Sequence, residues 1–211
     1  MLILLCYEVS CLIATIYLSV AGIIGWFELF NVDIANAKDN PFFGHSDYVQ
    51  SHLIIPLLVY QGLNALVCVL VKDLRKLEMI SHHLLAFLLA LCGMNSFLHY
   101  WAIFFFGITE ISSIPLTIMS IMRILYGKNK NEYYAYKISR SSFALLFIII
   151  RLIYWPVYYT NCIYEAIYLY SNNKLNYVYF YTFTIISTAL TGLQLYWGTK
   201  IVNTLVTKKA C

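Results

Sequence analysis

Six long runs of this chain carry almost no charge, and that decides what solvent it can fold in. From Leu2 to Phe27, Val49 to Val71, Leu77 to Gly93, Phe97 to Ile121, Arg140 to Ala166 and Tyr177 to Val206, nearly every side chain is apolar. A helix crossing the hydrocarbon core needs about 20 such residues, because backbone polar groups can be satisfied there only within the segment. Composition agrees, with 61% hydrophobic and 11% charged residues against roughly 25% charged in an ordinary soluble domain. Transmembrane β-strands alternate apolar and polar positions over about ten residues, whereas runs such as SFALLFIII are apolar almost throughout. The expected fold is therefore an all-α membrane protein, a bundle of six transmembrane helices. The third span is short, and Pro115 should kink or break the fourth.

The basic residues set an orientation. With six spans, both ends of the chain share one side with the second and fourth connections, and that side holds eleven of the 14 Lys and Arg. The other side holds Lys38 and Lys174, and Arg151 falls inside a span. Under the positive-inside rule both termini are expected to be cytosolic. Strung along short loops, these cations suit a solvated or headgroup-facing surface and give no case for nucleic acid. The first span contains Glu8, lacks a basic leading segment and offers no small-residue cleavage site, so it reads as a retained helix and not a signal peptide. The organisation expected is a first helix with the start of a non-cytosolic loop in residues 1–39, a transmembrane core in 40–206 and a cytosolic tail in 207–211. Pro41 and Gly44 mark turns in that loop. Six cysteines without a CxxC pair, lying mostly within spans, read as small buried hydrophobes.

Ionisable groups inside hydrocarbon are costly, so each is a candidate for function and must face the bundle interior or a wet cavity. His82 and His83 lie adjacent on the third span, about 8 Å from its cytosolic end. Glu110 comes out about 20 Å from the same side, and Gln61, Arg151 and Gln194 about 15 Å. This places polar groups from several helices in one layer, a shared pocket opening toward the cytosol. Glu110 and Arg151 are expected partners there, since paired charges can both stay ionised; the pair could equally do no more than lock two helices. Adjacent helical residues point about 100° apart, so one histidine should face the pocket and the other a neighbouring helix. A neutral imidazole can serve as general base or acyl acceptor. No third ligand stands at helical spacing for zinc, so no metal is expected. Trp197 and Ser113 are further lining candidates. His99 and the tryptophans near span ends fit interfacial anchoring.

The segments NPFFGHS, SHHLLAF, FFGITEISSIPLTIMSIMRIL, IIIRLIYWPVYY and LQLYWGTKIV resemble the TLC-domain family, shared by ceramide synthases, TRAM proteins and smaller lipid-homeostasis proteins. In ceramide synthases the paired histidines are followed by His-Asp and, three residues later, a second Asp. The corresponding places here read Thr109-Glu110 and Ser113, so one histidine and one carboxylate are missing. The form is similar to the small lipid-homeostasis members. The resemblance implies a protein that binds, senses or remodels acyl lipids and contributes to membrane composition, with no cofactor. The alternative it leaves open is an acyl-CoA-dependent N-acyltransferase of the ceramide-synthase type, with acyl-CoA as substrate and His82, His83 and Glu110 as catalytic candidates. Partners would be membrane lipids or acyl chains, and a homo-oligomer is compatible. A carrier or channel is disfavoured for want of an inverted repeat. The closing Lys208-Lys209-Ala210-Cys211 has the form of a dilysine retrieval signal, which points to the endoplasmic reticulum membrane.

Overall fold

The structure, a computed structural model, describes residues 2–31 and 44–207. The loop positions Lys38 and Pro41 and the tail 208–211 lie outside the described residues. Within them the chain is helical: α1 is Leu2–Asn31, α2 Asp47–Leu70, α3 Leu77–Cys92, α4 Ser96–Glu132, α5 Tyr134–Ser171 and α6 Tyr177–Thr207. Five of these are long and apolar enough to cross a membrane, while α3 has only 16 residues, about 24 Å of helix. Large apolar side chains such as Ile13, Leu63, Leu66, Ile153 and Ile185 stand exposed on the outside. Such a surface has lipid as its natural solvent.

The ends of the helices follow from local chemistry. Arg75 Nε donates to Val69 O at 2.9 Å, covering one of the unpaired carbonyls that close α2. Gly127 at φ 51° ends the regular part of α4 in a conformation that favours glycine. Asn173 at φ 57° lets Lys174 N donate back to Leu169 O at 2.9 Å, a Schellman-type end to α5.

Neighbours run α1, α2, α3, α6, α5, α4 and back to α1. α4 is drawn furthest inward: 61% of its apolar window is buried, against 22% for α1 and for α5. Its Phe97, Trp101, Phe104 and Phe106 join Trp155 of α5 and Phe183 of α6 in one aromatic-rich core. Trp101 and Trp155, which sequence position suggested as interfacial anchors, are 4% and 5% exposed. The core outbids the interface for them because α4 is enclosed by protein.

Three prolines explain where the helices are irregular. Proline lacks an N–H and its ring crowds the carbonyl four residues back. Pro56 follows wide π-helical turns over Gln50–Ile54, and Pro156 follows wide turns over Phe147–Tyr154. Pro115 follows wide turns at Ile103–Gly107 and tight 3-10 turns at Ile108–Ser112. The break expected at Pro115 is therefore spread over the two preceding turns. It also brings Gly107 against Gly22 of α1 so closely that a Cβ added at Gly107 would stand 2.4 Å from Gly22 Cα.

Candidate functional site

The polar residues picked out in the sequence assemble into two groups joined along α6. In the first, His83 of α3 turns toward α2, where its Nδ1 donates to Gln61 Oε1 at 2.7 Å. Both residues are buried. With the ring proton held on Nδ1, His83 Nε2 is left as a lone-pair nitrogen. It is buried and has no hydrogen-bond partner among the described residues. His82 turns the other way, its ring edge-on to Trp197 of α6 at 5.1 Å and to His83 at 5.1 Å. The two imidazoles thus face different neighbouring helices.

Arg151 centres the second group. It projects from the wide turns of α5 with 7% exposure and divides its N–H donors among four acceptors. Nε donates to Ser112 Oγ at 2.8 Å, Nη1 to Gln194 Oε1 at 3.2 Å, and Nη2 to Thr109 O and Ser113 Oγ, each at 3.1 Å. The guanidinium ties α5 to α4 and α6 through its planar fork.

The expected ion pair of Glu110 with Arg151 is not formed: among the described residues the ion pairs are His45–Asp47 and Lys200–Glu78. Glu110 is buried at 8% exposure on the tight 3-10 stretch, and it is the neighbouring hydroxyls and the Thr109 carbonyl that reach the guanidinium. Thr109 and Ser112 were not legible as partners. Their signal is a hydroxyl face at Thr109, Ser112 and Ser113, spaced three and one apart, but hydroxyls are ordinary in membrane helices. Gln194 and Trp197, one turn apart on α6, connect the groups. The single polar layer read from depth alone is thus two adjoining clusters.

At the opposite end lies a further set of rings. His99, suggested by its position as an interfacial anchor, is 1% exposed, and Ser46 N donates to its Nδ1 at 2.9 Å. The ring of His45 lies 4.9 Å from it, and Tyr17 Oη and His52 Nδ1 share a hydrogen bond of 2.9 Å. The chain around Ser46 covers this end of α4, which buries His99. Among the described residues no three His, Cys, Asp or Glu side chains converge as metal ligands. The five described cysteines are free, and all but Cys6 are buried.

Compared with known families, the sequence matches the TLC domain over residues 9–203. The chain belongs to the TLC-domain family. The match begins inside α1 and runs almost to the end of α6, so both polar groups lie within the TLC domain. No curated protein matches the chain.

Proposed function

We propose that this TLC-domain protein acts on acyl lipids of the membrane it occupies, with His83 Nε2 as the working atom. The observation that carries this is the Gln61 contact: it fixes ring orientation and tautomer, which is the task of a supporting residue beside a catalytic or ligand-binding imidazole. A nitrogen so held can take a proton from an attacking hydroxyl or amine, or attack an acyl carbonyl itself. His82, whose ring lies 5.1 Å from that of His83, and Glu110 stand as further candidates, and Arg151, Ser113, Gln194 and Trp197 as walls. In this reading all six helices cross the bilayer, and both ends of the chain lie in the cytosol. The membrane in this reading is that of the endoplasmic reticulum. Departure from the ceramide-synthase signature at Thr109 and Ser113 favours lipid remodelling or sensing over N-acylation of a sphingoid base.

The test is denaturing and native mass spectrometry of the purified protein beside His83→Ala, His82→Ala and Gln61→Ala, together with the lipid profile of the expressing cells. Loss of a general base or nucleophile is expected to lower turnover about 10²- to 10⁴-fold in His83→Ala. Gln61→Ala should lower it roughly tenfold, through the lost tautomer control. An acyl adduct that survives denaturation and vanishes in His83→Ala identifies covalent transfer. An unchanged lipid profile in His83→Ala, with lipid bound only under native conditions, would leave binding or sensing in place and remove catalysis.

A further inference from the structure

At the end of the bundle where α3 starts and α6 finishes, α4, α5 and α6 part around a cleft of about 580 Å³. Arg123, Lys137, Arg140 and Lys200 line it, with Ser141 and Thr204 beside them and no carboxylate in the lining. Among the described residues Arg123, Lys137 and Arg140 make no ion pair, and Lys200 reaches Glu78 only at 3.7 Å, with both side chains well solvated. Four like charges from three helices repel one another around one concavity. Basic residues that merely obey the positive-inside rule have no need of a cavity, since each can snorkel separately to the headgroups. The volume is that of a small-molecule site.

Position adds to charge. Ala144 in the cleft wall precedes Arg151 by seven residues on α5, about 10 Å. Ile201, also in the wall, follows Trp197 by four residues on α6, about 6 Å. A ligand held by its anionic end among the four cations would therefore extend an attached acyl group toward the His82–His83 and Arg151 groups. The geometry points to a phosphate-binding site: the cleft takes the phosphate of an acyl-bearing ligand, whether a phospholipid headgroup from the bilayer or the phosphates of a soluble acyl carrier. That the ligand bears an acyl chain rests on the function proposed above; the capture of phosphate does not.

The full chain in phosphatidylcholine nanodiscs, with and without phosphatidic acid, tests this by native mass spectrometry, beside a titration with free CoA in the solution phase. The comparison is between wild type, Lys137→Gln/Arg140→Gln, and Lys72→Gln/Lys76→Gln, which removes as much charge from the α2–α3 connection. Retention of phosphatidic acid over phosphatidylcholine, weakened at least tenfold by the cleft pair and untouched by the connection pair, identifies a lipid phosphate. The same pattern with CoA identifies a soluble carrier. If both pairs weaken binding alike, or wild type prefers neither phosphate ligand, the cleft is only part of a generally basic surface and the proposal fails. His83→Ala should retain phosphate binding, so loss of its acyl adduct and loss of the cleft are read separately.

Discussion

Gly107→Ala lowers the thermal unfolding temperature of the detergent-purified protein by about 10 °C. The added Cβ would sit 2.4 Å from Gly22 Cα and 3.1 Å from Gly22 N, and a Cβ at Gly22 would meet Gly107 Cα at 2.5 Å. These are backbone atoms, which no rotamer change can move aside. α1 must shift as a body, and overpacking of this kind costs about 3 kcal/mol, or roughly 6–12 °C for a chain of this size. Two glycines of α6 calibrate the measurement. At Gly198 the new Cβ meets Leu152 Cδ2 at 2.4 Å, the far end of a side chain that can turn at a cost of about 1 kcal/mol. Nothing lies within 4 Å of a Cβ at Gly192, and alanine there gains up to about 1 kcal/mol of helix propensity. The expected order of melting temperatures is Gly192→Ala highest, then Gly198→Ala, with Gly107→Ala far below. A Gly107→Ala protein as stable as wild type would show that α1 does not pack at this distance.

Arg151→Lys is expected to destabilise by about 2–4 kcal/mol, and more than Arg151→Met. Four acceptors on two helices converge on the guanidinium, and none of them is a carboxylate. Its worth to the fold therefore lies in donor geometry and not in charge neutralisation. Lysine keeps a buried charge but cannot reach Ser112, Ser113, Gln194 and the Thr109 carbonyl together, which is the costly half-satisfied arrangement. Methionine removes the charge, and the serine hydroxyls can turn to carbonyls of their own helix. Melts of both variants in one detergent decide it. If Arg151→Met falls below Arg151→Lys, the positive charge itself is what the bundle needs, and a counter-charge from a ligand becomes the better account.

The long apolar helices were legible because hydrocarbon leaves the chain little choice, and five of the six expected spans are long and apolar enough to cross a membrane. Gln61, His82, His83, Arg151 and Gln194 were legible for the same reason, as rare polar atoms where such atoms are expensive. Partnership was harder to read. Depth along a helix says nothing of which helices are neighbours, and the contact of His83 with Gln61 depends on α2 and α3 packing side by side. A buried arginine suggests a carboxylate partner, yet hydroxyls and a carbonyl exposed by the tight turn at Ile108–Ser112 satisfied Arg151 instead. His99 near the start of a span resembles an anchor until the backbone at Ser46 is found lying over it.

The wide turns before Pro156 change the meaning of chain length in α5. On a straight helical wheel, the buried Tyr136, Ser139, Phe147 and Ile150 centre on one direction. The buried Trp155, Cys162, Ala166 and Leu169 centre on another, roughly 100° away. One residue of α-helix is also about 100°, so the stretch Phe147–Tyr154 acts as a phase slip that brings both sets onto the same side of the bundle. A one-residue gap within 147–154 in a related chain would therefore be absorbed: the wide turns would close to ordinary α-helix, and Trp155 and Cys162 would stay on the side they share with Phe147. The same gap elsewhere in α5 has no slip to absorb it and would turn one of the two sets out toward lipid while the hydropathy profile scarcely changed.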